Sequence, residues 1–253
     1  MRIAVAGATG NIGTLTVAAL ERAGHEVVGI SRKQGVDLIS GDGLDEALAG
    51  VDAVVDASNG PAASPEETVA WFGKATENLL AAGERAGVRH HVLLSIVGVS
   101  RTEGNAHYAG KREQERLVEA GNVPWTIVPA TQFHDFPAMV AGWVTQNGVA
   151  PIAPLLLQPI APADVAAVLA MVAVGKPTGR FADVAGPEKQ DMVDMARRTL
   201  EARGQSVKLE PTWDGGLFGP AMAGNTLLPG ERAHIAPTTF DEWLEQERKS
   251  AGQ

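Results

Sequence analysis

No cysteine occurs anywhere in the sequence, which excludes a disulfide framework, a thiolate nucleophile and any cysteine-ligated metal site. Positive charge is also short. The 21 Lys and Arg stand against 30 Asp and Glu, a net charge of −9, which argues against a general nucleic-acid surface, since such binding depends on neutralising phosphates. Long apolar runs are missing as well: the longest, Val165 to Val174, is about half of the ~20 residues a membrane span requires. The N-terminus shows no charged-then-apolar leader pattern, so a cytoplasmic protein without a membrane segment is expected. What the chain does have is 253 residues with 45% hydrophobic content, enough for one substantial core.

The most informative stretch is at the start. Arg2-Ile3-Ala4-Val5-Ala6 reads as a strand, Gly7-Ala8-Thr9-Gly10-Asn11-Ile12-Gly13 as a glycine loop, and Leu15, Val17, Ala18 and Leu20 as a helix ending near Gly24. The three glycines do different things. Gly7 allows the tight turn, Gly10 the approach of backbone amides to a pyrophosphate, and Gly13 close packing of helix on strand. The helix aims its free N–H groups at the phosphates. A second strand, His25 to Ile30, follows directly, which is the context a dinucleotide-binding loop requires. At its end, where an NAD site would place Asp or Glu, stand Ser31, Arg32 and Lys33. A guanidinium and a hydroxyl suit a 2′-phosphate, so NADP(H) is favoured over NAD(H).

Strands and helices then alternate. A loop at Asp37-Leu38 and a short helix over 42–49 precede a strand over Val51–Ala57 that ends in Ser58-Asn59. A long helix is expected over Pro65–Ala86, with Val69, Phe72, Leu79 and Leu80 on its buried side. A strand over His91–Val97, a helix over Ala106–Ala120 and a strand over Pro124–Pro129 follow. Nearly continuous apolar strands at this spacing imply a Rossmann-type α/β fold, a doubly wound parallel sheet. After about Ala130 prolines punctuate the chain, and a second Gly- and Pro-rich stretch begins near Gly215. Helices are still expected at Ala163–Val174, Gln190–Arg203 and Thr239–Arg248. This half reads as sheet-edge elements plus a small C-terminal lobe covering the substrate. The chain is then one NAD(P)-binding domain over 1–253, with a dinucleotide-binding core over 1–130 and a mixed part over 131–253.

Gly7-x-x-Gly10-x-x-Gly13, the strand Val51–Asp56, the strand end Leu94-Ser95, Tyr108-x-x-Lys111 and Pro124-Trp125-Thr126-Ile127 together resemble the atypical short-chain dehydrogenase/reductases. Within them the chain is most similar to the NmrA-like NAD(P)H-binding subgroup, which includes quinone-type reductases and redox-sensing regulators. Ala182 to Glu188 extends the likeness to the C-terminal part. The resemblance implies that Gly7, Thr9, Gly10, Asn11, Ile12 and Gly13 hold the pyrophosphate and Ser31 and Arg32 the 2′-phosphate. It further implies that Asp37 and Leu38 flank the adenine, and that Ala57, Ser58 and Asn59 run beside the ribose and phosphate. Pro129, Ala130, Thr131 and Phe133 would border the nicotinamide; the subgroup often has Arg where this chain has Pro129, so no polar contact is expected there.

The usual short-chain reductase uses Ser, Tyr and Lys, the last two four residues apart on a helix, with Lys lowering the pKa of the proton-donating Tyr. Here His107 stands four before Lys111 and Tyr108 three before it, and both offsets share the helix face of Lys111. Lys111, Tyr108 and Ser95 are the candidate catalytic residues, with Lys111 also on the cofactor ribose. Ser95 can instead be a satisfied strand-end hydroxyl, and Tyr108, the only tyrosine, a surface anchor of its helix. His134 is an alternative proton donor, or a residue lining a pocket or facing solvent. His90 and His91 point to opposite faces of a strand and cannot easily share a metal, so no metal site is expected. Phe133, Phe136, Met139 and Trp143 recur at helical spacing, a packing pattern whose one face can also line an apolar substrate site. The reading that follows is an NADPH-dependent reductase passing hydride to a small apolar carbonyl, quinone or enone. The alternative is a non-catalytic NADP(H) redox sensor. Neither nucleic acid nor membrane is expected as a partner, and an oligomer is left open.

Overall fold

The computed structural model describes residues 1–60, 64–214 and 217–251; Gly215, where the second Gly- and Pro-rich stretch begins, lies outside them. The first half alternates β1 (Arg2–Ala6), α1 (Asn11–Arg22), β2 (Glu26–Ile30), α2 (Leu44–Leu48), β3 (Ala53–Asp56), α3 (Pro65–Ala86), β4 (His90–Ile96), α4 (Ala106–Ala120) and β5 (Trp125–Ala130). The second half contains α5 (Phe136–Val144), β6 (Val149–Ile152), β7 (Leu156–Leu157), α6 (Pro162–Val174), β8 (Gly179–Arg180), β9 (Val184–Ala185), β10 (Gln190–Asp191), α7 (Met192–Ala202), β11 (Lys208–Pro211), β12 (His234–Ile235) and α8 (Phe240–Ala251). The main sheet runs β12-β9-β5-β4-β3-β1-β2, with β8 also on β5. All of its pairings are parallel, in registers such as Ala4 with Val28 and Val54, and Val92 with Thr126.

Both faces of this sheet are apolar, and each has its own layer. Ile3, Val5, Val55, Val92 and Val128 meet Ile12 and Leu20 of α1 and Val165 and Leu169 of α6. Ala4, Ala6 and Val54 meet Leu44 and Leu48 of α2 and Leu79 and Ala82 of α3, while Leu93 and Ile127 meet Val118 of α4. Burial of each large aliphatic side chain contributes about 1.5–3 kcal/mol, which explains why β-branched strands end up covered on both sides. The helix expected over Pro65–Ala86 has those bounds because its ends are marked locally. Ser64 accepts from the Glu67 amide at 3.2 Å, Glu67 accepts from the Ser64 amide at 3.1 Å, and Gly87 ends the helix at φ +73°.

The chain runs outward from β1 to β2 and then returns to the other side of β1 to form β3. The sheet therefore has a topological switch between β1 and β3, where parallel α/β sheets open a crevice beyond their strand ends. After Ala130 the chain divides. β8, β9, β12 and α6 return to the main sheet, whereas the parallel pair β6–β11, the antiparallel pair β7–β10, α5 and α7 surround a second core that includes Val140, Ile152, Leu155, Met192 and Phe218. Several boundaries shift by a residue or two, and the helix expected over Gln190–Arg203 begins only at Met192, because Gln190 and Asp191 pair with β7 as β10. Two further differences bear on the site. Helix α5 begins at Phe136, so Phe133 is not on it: Phe133 forms a bridge to Ile160 as β5 leaves the sheet. The third strand is trimmed to Ala53–Asp56, because Asp52 instead accepts the Arg2 amide at 2.9 Å and pairs with Arg89.

Candidate active site

Five strand ends, those of β1 to β5, lie on one edge of the sheet, and the sequence-predicted residues cluster along it. At β1, Gly7 turns at φ +78° and its amide donates to Ile30 of β2 at 3.0 Å. A Cβ on Gly7 would lie 2.7 Å from the Ala57 carbonyl, and one on Gly13 would lie 2.0 Å from the Gly7 carbonyl. These two glycines allow the contacts that bring loop, helix and β3 together. Gly10 differs: a Cβ there would meet only the Gly7 carbonyl, at 3.2 Å. Gly10 is the N-cap of α1 and no side chain caps that helix, so its first-turn N–H groups are left for an anion. An open glycine above an uncapped helix N-terminus fits a pyrophosphate. Thr9 and Asn11 are exposed on the loop and Ile12 is buried in the core.

Beside this loop, Ser31 donates to Gln34 at 2.7 Å and Arg32 is exposed. Among the described residues no acceptor holds the Arg32 guanidinium. Asp37 is less free: its carboxylate accepts from the amides of Ile39 and Ser40, and Asn78 donates to the Leu38 carbonyl at 2.8 Å. At the end of β3, Asp56 is buried and accepts from the Ser58 amide at 2.9 Å and from Gln114 at 3.1 Å. Ala57 and Ser58 thereby sit against Gly7, with Asn59 exposed beside them.

Each of the three catalytic candidates is engaged by a group of the protein itself. Ser95 turns towards α4, 2% exposed, and donates to Glu115 at 2.5 Å, a carboxylate that also pairs with Arg180 of β8. Tyr108 is not a surface anchor. It is buried in the second core, and its hydroxyl accepts from Gln132 at 3.0 Å. Burial pushes its pKa up to about 12. Lys111 is buried under the ends of β3 and β4, where Nζ donates to the Leu94 carbonyl at 3.0 Å and lies 5.2 Å from the centre of the Phe72 ring. Burial lowers its pKa to about 8, against the opposing pull of Asp56 and Glu115.

At β5, Pro129 and Ala130 end the strand opposite Ser95 and Ile96, and the Thr131 amide donates to Val184 at 2.9 Å. Phe133 is half-buried against the main core. Asp135, which no sequence motif marks, accepts from Asn11 at 2.7 Å and ties the glycine loop to the start of α5. His134 does not face solvent: it is 1% exposed. Its Nε2 donates to Pro159 at 3.1 Å, and Phe240 and Trp243 of α8 enclose the ring. His91 is fully buried beside Asp56, and among the described residues no group of three metal-ligating side chains occurs.

Burial holds His134 down to about 4, and His91 shifts the same way. The folded protein therefore binds fewer protons than the unfolded chain between about pH 6.5 and 4, so stability is present above 6.5 and lost as pH falls through that window. His134 alone costs about 2 kcal/mol at pH 5. Urea titrations should show a lower midpoint at pH 5 than at pH 7; equal midpoints would contradict the burial of neutral imidazoles.

A glycine loop at the switch point of a parallel sheet, an uncapped helix over it and a line of strand ends beyond define a dinucleotide-binding protein of the Rossmann type. Residues 7–174 match the NAD(P)H-binding family, and the chain belongs to that family. It is 31% identical over 229 residues to (4-alkanoyl-5-oxo-2,5-dihydrofuran-3-yl)methyl phosphate reductase of Streptomyces griseus, a match covering 82% of this chain and 76% of the relative. The fold is shared with the NADP(H)-complexed triphenylmethane reductase of Citrobacter sp., at TM-score 0.69 and 18% identity over 98% of this chain and 100% of that one. It is also shared with an NADPH-complexed quinone oxidoreductase of Escherichia coli, at TM-score 0.67 and 18% identity over 96% and 99%. The protein is an NAD(P)H-binding reductase with a small-molecule substrate. Among the described residues no helix is long and apolar enough to cross a membrane.

Proposed function

We propose that this reductase uses NADPH and acts on small apolar electrophiles whose C=C or C=O bond is conjugated with a carbonyl. The observation that carries the substrate class is the apolar side of α5. Helix α5 starts a few residues after the β5 end, and from it Met139 and Trp143 stand 38% and 61% exposed while Phe136 packs between Trp143 and Phe218. Large exposed apolar side chains on a helix that begins just beyond a strand end suit a flat, uncharged ring. The Streptomyces relative is named for the phosphate ester of an unsaturated lactone bearing an alkanoyl group; its ring is a conjugated acceptor of this kind, although the phosphate adds charge.

When bound, the dihydronicotinamide supplies hydride. The first turn of α1, with Gly7 to Gly13, holds the pyrophosphate. Ser31 and Arg32 take the 2′-phosphate, Asp37 and Leu38 flank the adenine, and Ala57 to Asn59 line the path between. Pro129 to Phe133 border the nicotinamide and exclude water from it. Lys111 places positive charge under the β3 and β4 ends, where it stabilises negative charge developing on the substrate. Ser95, whose hydroxyl is held by Glu115, is given no part.

A screen of enones, acyl lactones, quinones and ketones that follows NADPH absorbance tests this reading. Turnover of enones is the expected result; tight NADPH binding with no turnover of any class would favour the redox sensor. Cofactor choice has its own test. NADPH should bind at least about tenfold, or about 1.4 kcal/mol, more tightly than NADH, because the Arg32 guanidinium has no competing partner. Arg32→Asp should reverse the ranking by replacing attraction with repulsion. Equal affinities of the unaltered protein in calorimetric titrations would refute the assignment.

A further inference from the structure

We infer that His107 is a catalytic residue of this reductase, donating a hydrogen bond from its imidazole to the substrate oxygen; this rests on the reductase reading above. Helix direction places it. Helix α4 starts after β4 at the ligand edge and runs back along the sheet, and Lys111 reaches the Leu94 carbonyl within β4. A residue four positions earlier on the same face lies about one turn, ~5–6 Å, closer to that edge. That residue is His107.

Packing orients it. Gly110 has no Cβ, and one there would lie 2.2 Å from the Phe72 ring. Phe72 therefore sits directly against α4 and supports both neighbours on its face. It meets His107 edge-on at 5.4 Å between ring centres, and Lys111 at 5.2 Å. Phe72 in turn contacts Trp71, which would meet a Cβ on Gly60 at 2.7 Å, so this aromatic group continues to the segment after β3. The imidazole is thus oriented by rings, with no hydrogen bond to either nitrogen among the described residues. That distinguishes it from His90 and His134, whose Nε2 atoms are engaged by Thr126 and Pro159.

The neighbouring tyrosine is spent elsewhere. The Asn105 side chain accepts the Tyr108 amide at 3.2 Å and fixes the helix start. Tyr108, about 100° round the helix from His107, then points into the second core and onto Gln132. Of the two residues offset from Lys111 in the sequence, only His107 is on the Lys111 side with its ring nitrogens unclaimed. Burial, and then the Lys111 charge, lower its pKa to about 4. At neutral pH it is a neutral imidazole that keeps an N–H donor.

Hydride from the dihydronicotinamide, which is oxidised, forms a C–H bond at the β-carbon of the enone, which is reduced. The C=C electron pair shifts, and negative charge develops on the carbonyl oxygen. His107 donates to that oxygen without giving up its proton, and a proton from water then completes the α-carbon.

His107→Phe keeps an aromatic ring against Phe72 but removes the donor. In reduction of an acyl butenolide it should lower kcat about 100-fold with the Kd for NADPH held within about twofold. His107→Gln, which restores an N–H donor, should recover to within about tenfold of the unaltered protein. A readout independent of turnover is the His107 imidazole resonance in 15N-labelled protein. With NADP+ present it should show a neutral ring, and it should shift when a saturated acyl lactone is added. An unchanged kcat in a folded His107→Phe protein would overturn the inference while leaving the reductase reading intact. If no enone is reduced but the resonance still shifts, the substrate class fails and the donor assignment stands. Absence of both turnover and shift would overturn both.

Discussion

Valine at position 10 is expected to abolish NADPH binding without unfolding the protein. Gly10 sits at φ −81° and ψ 172°, a conformation open to any residue. An added Cβ would meet only the Gly7 carbonyl, at 3.2 Å, a contact that a small shift relieves. The branched methyl groups would instead occupy the space above the first turn of α1, where a pyrophosphate must reach backbone amides. A loss of about 1,000-fold or more, about 4 kcal/mol, is expected in calorimetric titrations, with an unaltered circular dichroism spectrum. Gly13→Ala should behave differently. Its Cβ would lie 2.0 Å from the Gly7 carbonyl oxygen and 2.7 Å from the carbon, so helix and loop must separate and stability falls together with binding. A folded Gly10→Val protein that still binds NADPH would make the loop purely structural.

Lys111→Ala is expected to lower turnover by more than tenfold. The substitution removes the cation beneath the β3 and β4 ends and leaves the Leu94 carbonyl and the buried Asp56 carboxylate without it. Because leaving a buried charge uncompensated also destabilises, Lys111→Met, which refills the volume, is the better comparison for chemistry. Burial holds the Lys111 pKa near 8, so the charged form is present below that pH and lost above it. If the charge assists hydride transfer, kcat should fall as pH rises through about 8, and this limb should be missing from the Lys111→Met profile. An unchanged rate for both variants would remove Lys111 from the reaction.

The difference between what was legible and what was not follows from the range of the interactions. The loop Gly7 to Gly13 was legible because its three glycines recur at fixed spacing between a strand and a helix, Gly7 and Gly13 for close backbone contacts and Gly10 for ligand approach. Helix α3 was legible to its last residue, since Ser64, Pro65 and Gly87 punctuate it locally. The direction of the side chains on α4 was not. Whether His107 or Tyr108 faces the ligand edge depends on Phe72 fitting against Gly110 and on Gln132 donating to the phenol oxygen, partners distant in sequence. Ser95 looked available until Glu115 and Arg180 were brought onto it. His134 looked like a pocket residue until α8, more than a hundred positions later, closed over it with Phe240 and Trp243.

By itself, then, the sequence determined the doubly wound sheet, the NAD(P)H loop and the edge on which the site lies, because period, turn chemistry and capping act over one or two turns of chain. Only the tertiary structure decided which of the polar side chains at that edge are spent on one another and which remain for a ligand. Burial forces each hydroxyl, amide and ring nitrogen towards a partner, and those partners are supplied by α4, β5, β8 and α8 only when the chain has closed.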